Sequence, residues 1–244
     1  MTLRSFGHAL QFLTRLPAPR FTEFDPQDLS RSAIWFPLVG ILIGGIVAAA
    51  VWAGGHGSPW IGALAGLVVW VWITGALHLD GLGDVADALA AAHRVPERFL
   101  EVLRDPHVGA FGVVAIGLQL IAKLVLLAEI SSGPALLALV LVPAWARWGT
   151  LVWSLAVPPL ASGSGERFSW EISLIGTIAQ GIGLVALSLW AAPVLLAALL
   201  IIPALALYWR VRLGGITGDC LGASVEVTES LLLLVIALAT ATSP

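Results

Sequence analysis

The sequence predicts an all-α protein, a polytopic integral membrane helical bundle of about seven transmembrane helices preceded by an N-terminal interfacial helix. Composition is the first reason. The chain is 59% hydrophobic and only 11% charged, with mean hydropathy +0.96, whereas soluble domains carry about 25% charged residues. The second is a series of apolar stretches near the length of about 20 residues that a bilayer core requires. The third is positive charge, which falls in alternate connecting segments.

The elements follow in order. In residues 3–16, Leu3, Phe6, Leu10 and Leu13 recur at three- and four-residue steps, with His8, Gln11 and Arg15 elsewhere on the wheel. That is the pattern of a helix lying flat on a membrane, stopped by Pro17 and Pro19. Arg4, His8, Gln11 and Arg15 also interrupt this stretch too often for a cleaved signal peptide. Spans are predicted at 33–53, 60–79, 110–130, 134–157, 173–191, 193–209 and 226–242. Almost nothing joins the fifth to the sixth (Ala192-Pro193), and the seventh is short and opens on acidic residues.

With the N-terminus inside, the inward segments are 1–32, 80–109, 158–172 and 210–225. They hold Arg4, Arg15, Arg20, Arg31, Arg94, Arg98, Arg104, Arg167, Arg210 and Arg212, ten of the twelve Lys and Arg residues. The opposite loops hold none. The positive-inside rule then gives a cytoplasmic N-terminus and an outside C-terminus. Net charge of −3 gives no reason to invoke nucleic acid, and a lone cysteine, Cys220, excludes an intrachain disulfide and a Cys-based metal site. Without an internal repeat or linker, residues 1–244 read as a single membrane-embedded catalytic domain.

The remaining two cations, Lys123 and Arg147, lie inside the third and fourth spans. Charges at that depth face a polar cavity or a partner. The plain alternatives are snorkelling to an interface or a structural pair, such as Lys123 with Glu129.

Carboxylates gather on the inward side. In the run from His78 to Asp87, the residues Asp80, Asp84 and Asp87 fall within an arc of about 60° on a helix. Three carboxylates on one stripe repel unless a cation sits among them, and a hard divalent ion such as Mg²⁺ suits oxygen donors. A wet polar face is the alternative. A second segment runs from Arg104-Asp105 to Gly112, and a third from Gly214 to Glu226, with glycines at 214, 215, 218 and 222. Asp219 and Glu226 are two helical turns apart, so a continuing helix would place both on one face. Capping by Thr217 or Asp219 and close packing at the glycines are the alternatives. Carboxylates from two helix ends beside Arg and Lys suit a metal–phosphate site, where charge neutralisation matters more than a covalent nucleophile. No Gly-x-Ser-x-Gly, His-Glu-x-x-His or Gly-x-x-x-x-Gly-Lys-Ser/Thr motif competes. His78, His93 and His107 lie near these segments, as structural residues or as bases.

Taken together, His78-Leu-Asp-Gly-Leu-Gly-Asp-Val-Ala-Asp, Arg104-Asp-Pro-His-Val-Gly-Ala-Phe-Gly and Gly214-Gly-Ile-Thr-Gly-Asp-Cys-Leu-Gly-Ala resemble the cobalamin synthase (adenosylcobinamide-GDP ribazoletransferase) family. Leu10-Gln-Phe-Leu-Thr-Arg-Leu-Pro17 and Trp35-Phe-Pro-Leu-Val-Gly40 look like the same family, so the likeness runs from residue 10 to about 229. The resemblance implies the last assembly step of cobalamin biosynthesis. A ribose hydroxyl of α-ribazole, or of its 5′-phosphate, attacks the cobinamide-linked phosphorus of adenosylcobinamide-GDP, and GMP leaves. It further implies Mg²⁺ dependence and a multi-pass location in the bacterial inner membrane, with the active site facing the cytoplasm.

Combined with the charge argument, it makes Asp80, Asp84, Asp87 and Asp219 the Mg²⁺ ligands. Glu226 or Asp105 would orient the attacking hydroxyl or take its proton. Arg15, Arg104, Lys123 and Arg147 would contact diphosphate or corrin amides. Partners are then the two small-molecule substrates and membrane lipid, with a homo-oligomer or other cobalamin-pathway proteins left open and no nucleic acid. The family often carries Ala at Gly83 and Gly at Ala88, which bears on helix continuity through 80–88.

Two alternatives were weighed. A CDP-alcohol phosphotransferase also displays spaced aspartates, but requires Asp-Gly-x-x-Ala-Arg where this chain has Asp80-Gly-Leu-Gly-Asp. An ion-coupled transporter would place coupling groups at mid-membrane between repeated halves, and no repeat is evident.

Overall fold

The computed structural model describes residues 3–18, 26–92, 96–130, 133, 135–161 and 171–241. Of the residues named above, Pro19, Arg20, His93, Arg94 and Arg167 lie outside these. The helices are α1 (Leu3–Leu13), α2 (Pro26–Ser32), α3 (Phe36–Gly55), α4 (Pro59–Thr74), α5 (Leu77–Ala92), α6 (Pro96–Val102), α7 (Ala110–Glu129), α8 (Ala135–Ala156), α9 (Leu174–Ala191), α10 (Ala198–Arg212) and α11 (Gly218–Ala241). Short 3₁₀ turns, Ala33–Trp35 and Pro193–Ala197, precede α3 and α10.

Among the described residues, six helical stretches are long and apolar enough to cross a membrane, and α4 with α5 makes a seventh when the bent pair counts as one. The architecture is a polytopic helical bundle with an amphipathic helix at its start. Two boundaries differ from the sequence reading. The last span begins at Gly218, so Asp219 and Glu226 share one continuous helix. The second ends at Thr74, because Gly75 and Ala76 both take left-handed backbone angles (φ 62° and 60°) and turn α5 by 85°. Glycine adopts this without cost, whereas Ala76 sets a Cβ against its own carbonyl at about 1–2 kcal/mol.

Helix α8 is central, with Trp145, Arg147 and Trp153 fully buried. Helix α3 lies against it at Gly40 and Gly44, where an added Cβ would meet backbone atoms of Ala144 (2.6 Å) and Val140. Small residues at such crossings let helix backbones approach in lipid, where burial supplies no drive between helices. Indole N–H groups then tie helices together. Trp145 donates to Ser188 Oγ (2.9 Å), Trp153 to the Ile202 carbonyl (2.8 Å) and Trp209 to Ser224 Oγ (2.7 Å). Elsewhere, Arg31 pairs with Glu171 at 2.7 Å, and the backbone N–H of Arg15 donates to the Ile73 carbonyl at 2.7 Å. The second contact fastens the end of the interfacial segment to the bend.

Candidate active site

Where α1, α3, α5, α8 and α11 meet, a cleft of about 200 Å³ opens. Its apolar lining is Phe12, Leu13, Leu29, Phe36, Leu77 and Leu221, and its polar lining includes His78, Asp80, Thr150 and Asp219. The bend after α4 brings Asp80 here, and the N-terminal turn of α11 supplies Asp219. Glycines allow the approach. A Cβ on Gly81 would stand 3.0 Å from the Asp219 carbonyl oxygen, and one on Gly222 would stand 3.4 Å from His78 Cα.

Asp84 follows Asp80 by one turn. It lies past the bend, outside the apolar helix α4. No Lys, Arg or His pairs with Asp80, Asp84 or Asp219 among the described residues. Among the same residues, no three His, Cys, Asp or Glu side chains converge into a ready-made ion cage.

Asp87 has a different surrounding. Its oxygens accept the backbone N–H groups of Gly109 (2.7 Å) and Gly112 (3.0 Å), the otherwise unpaired donors at the start of α7. Gly109 and Gly112 leave room for this, since a Cβ on either would collide with the Asp87 carboxylate. The second motif is thereby fastened to the first. Helix α5 runs unbroken through Gly83 and Ala88, and a Cβ at Gly83 would meet only the flexible Ile116 Cδ1, at 2.8 Å.

Behind the cleft lies a buried cluster of opposite charges. Lys123 Nζ donates to Glu226 Oε2 (2.7 Å) and Glu229 Oε2 (2.5 Å), and stands 4.4 Å from the Trp70 ring centroid. Arg147 donates through Nη1 to Glu229, and Gln119 donates to Glu226 at 2.8 Å. Two cations thus face two carboxylates, which makes their burial tolerable. Arg147 Nη2 lies 3.4 Å from His78 Nδ1. Guanidinium only donates, so Nδ1 accepts and Nε2 carries the imidazole proton. His78 thereby links the cluster to the cleft wall.

The structure brings Asp80 and Asp219 to the cleft, with Asp84 one turn further along α5, and puts Lys123, Arg147 and Glu226 together in the buried cluster. Lys123 pairs with Glu226 and Glu229 instead of Glu129. Asp105 is exposed and accepts from His107 Nδ1 at 2.6 Å, which holds its carboxyl below the usual range. Arg104 is exposed in the same loop, and neither residue lines the cleft. Arg15 packs against Gly75, in a separate groove with Trp72 and Leu120. Sequence reasoning missed Glu229 and Thr150. The spacing of Glu229, three residues after Glu226, was the available signal for the former.

These features define a class, a polytopic helical membrane protein with an acidic, partly apolar cleft at one end of its bundle. The sequence model of the cobalamin-5-phosphate synthase family matches residues 5–237. Among curated relatives, the adenosylcobinamide-GDP ribazoletransferase of Thiobacillus denitrificans is 50% identical over 236 residues, covering 95% of this chain and 94% of its own. Those of Laribacter hongkongensis (52% over 243 residues, 98% of each chain) and Novosphingobium aromaticivorans (51% over 243 residues, 97% of each) are similar to the same extent. No solved structure matches. The chain belongs to the cobalamin-5-phosphate synthase family.

Proposed function

We infer that this chain is a membrane-embedded ribazoletransferase, joining adenosylcobinamide-GDP to α-ribazole or its 5′-phosphate with release of GMP. The observation that carries the reading is the meeting of three separated motifs at one end of the bundle. Asp80 lies beside Asp219, and Asp87 holds Gly109 and Gly112. This unites the acidic motif of α5, the segment before α7 and the glycine-rich segment before α11.

In the reaction, a ribose hydroxyl oxygen forms a bond to the phosphorus attached to cobinamide. The bond from that phosphorus to the bridging oxygen breaks, and GMP departs with this oxygen and its electron pair. The hydroxyl proton passes to a carboxylate at the cleft. Asp80, Asp84 and Asp219 would hold Mg²⁺. Carboxylates without a protein cation suit an ion that takes one or two of them and fills its remaining positions with water and substrate phosphate. That ion supplies neutralisation of the diphosphate charge. Asp87, with both oxygens already accepting backbone N–H groups, keeps α7 against α5. Arg15 and Arg104 are exposed at this end and available to substrate phosphate or amides. Lys123 and Arg147 neutralise Glu226 and Glu229 behind the cleft.

The arginines of this end (Arg4, Arg15, Arg31, Arg98, Arg104, Arg210 and Arg212) favour its facing the cytoplasm, in a bacterial inner membrane. The test is GMP release by purified protein in lipid, with adenosylcobinamide-GDP and α-ribazole, with and without Mg²⁺. Release that needs both substrates and the ion is expected. No release from folded protein overturns the reading and directs attention to CDP-alcohol substrates.

A further inference from the structure

The transferase reading above leaves two bulky partners to be seated, and the cleft fits only part of one of them. A cavity of about 150 Å³ lined by Leu, Ile and Phe takes a single benzene ring. The cleft here, about 200 Å³, is of a size for a small fused bicycle and far too small for a corrin, whose four pyrrole-derived rings surround a metal. Three fused bicyclic groups occur among the substrates: the benzimidazole of α-ribazole, the guanine of the GDP moiety and the adenine of the adenosyl group.

The walls distinguish them. Phe12 and Phe36 stack with ring centroids 5.9 Å apart and planes at 16°, and Leu13, Leu29 and Leu77 complete an apolar lining. Guanine would bring a carbonyl, an amine and a ring N–H against this surface without partners, and adenine an amine and three unsubstituted ring nitrogens, both costly burials. Benzimidazole offers apolar edges and a single unsubstituted ring nitrogen. The phenylalanines come from α1 and α3, whereas the carboxylates of the lining, Asp80 and Asp219, come from α5 and α11, with His78 on α5 and Thr150 on α8. A nucleoside whose base lies against the phenylalanines directs its ribose toward those carboxylates.

We propose that this cleft seats the aromatic base of α-ribazole, with Phe12 and Phe36 as base-binding residues and the ribose hydroxyls turned to Asp80 and Asp219. The corrin and its guanosine diphosphate then approach from outside the cleft. The assignment rests on the transferase reading. It also gives the interfacial helix a task, because Phe12 and Leu13 belong to α1.

The test measures α-ribazole binding to the full chain in lipid nanodiscs by calorimetry, without the second substrate, and the KM for each substrate by GMP release. Phe12→Ala removes one stacking ring from a partly exposed position, and Leu77→Trp fills the cleft from another partly exposed position, so neither disturbs the buried core. Trp190→Ala, on the exposed face of α9 and outside the cleft, is the control. Each cleft variant should weaken α-ribazole binding about tenfold, the scale of losing an aromatic pair and its contact area. Each should raise the α-ribazole KM similarly, while the KM for adenosylcobinamide-GDP and the control stay within about twofold of the unaltered protein.

A rise confined to the adenosylcobinamide-GDP KM would assign the cleft to a purine of that substrate and overturn the proposal. So would equal losses for both substrates, or no loss for either. Failure of the underlying function shows differently: the unaltered protein itself would neither bind α-ribazole nor release GMP, and both readings would fall together.

Discussion

Replacing Lys123 with methionine removes a charge from the buried cluster while nearly preserving side-chain length. In the intact protein the ammonium is almost fully buried, 2.7 Å from Glu226 and 2.5 Å from Glu229. After the change, two buried carboxylates face one guanidinium, that of Arg147. Removing one member of a buried pair costs about 3–5 kcal/mol. At 1.4 kcal/mol per tenfold, the unfolding constant should rise by roughly a hundred- to several-thousand-fold. Adding Glu226→Gln to the same chain removes the surplus charge, leaves an amide for Gln119 and retains the Arg147–Glu229 pair. The double variant should recover to within about 1.5 kcal/mol of the unaltered protein. Cys220 provides the assay. It is the only cysteine, fully buried, and it sits on the helix that carries both glutamates. Its alkylation rate in detergent therefore reports opening of the bundle. If Lys123→Met alone labels no faster than the double variant, the charges are not paired as described.

Other outcomes follow from the same contacts. Asp80→Asn and Asp219→Asn should each lower GMP release by at least about 100-fold with unchanged Cys220 labelling, whereas Asp105→Asn, away from the cleft, should cost less than about fivefold; equal losses in the assay would remove the distinction. Saturating Mg²⁺ should raise the melting temperature of the unaltered protein and leave that of Asp80→Asn unmoved, since an ion stabilises only the form that binds it; equal shifts by scanning calorimetry would place the ion elsewhere. Asp87→Ala unpairs two N–H groups at the start of α7 and should cost about 1–3 kcal/mol by the Cys220 assay, with no loss if the cap does not form. Gly44→Leu should separate α3 from α8 and lower the melting temperature more than Gly45→Leu, because Gly45 has open space beside it.

What the sequence made legible is mostly what the bilayer and the helix repeat dictate. Apolar length marked the spans, and the aspartate spacing marked the acidic end, because both signals are local. Partners across the bundle carry no such signal. Asp87 shares the stripe of Asp80 and Asp84, yet its carboxylate meets backbone N–H groups more than twenty residues later in the chain, and backbone donors leave no trace in side-chain identity. Lys123 had a carboxylate at hand in its own helix, Glu129, which sits exposed near the helix end. The buried ammonium instead takes the two carboxylates on α11, which share its low-dielectric surroundings. The bend at Gly75 was hidden because the apolar run continues through Ala76 and Leu77.

The charge cluster has a consequence for how the molecule is made. Lys123 and Arg147 lie 82 to 106 residues ahead of the glutamates that neutralise them. As the chain leaves the ribosome, α7 and α8 enter the translocation machinery each with an unmatched cation, at about 2.5–3.5 kcal/mol apiece. The debt is cleared only when α11 arrives with both carboxylates. That same helix carries Asp219 at its first turn. Helix α11 is therefore at once the counterion for two earlier spans and the missing half of the cleft, and a nascent chain stalled before Gly218 is both badly inserted and inert. Quality control that removes such chains would remove no molecule able to react.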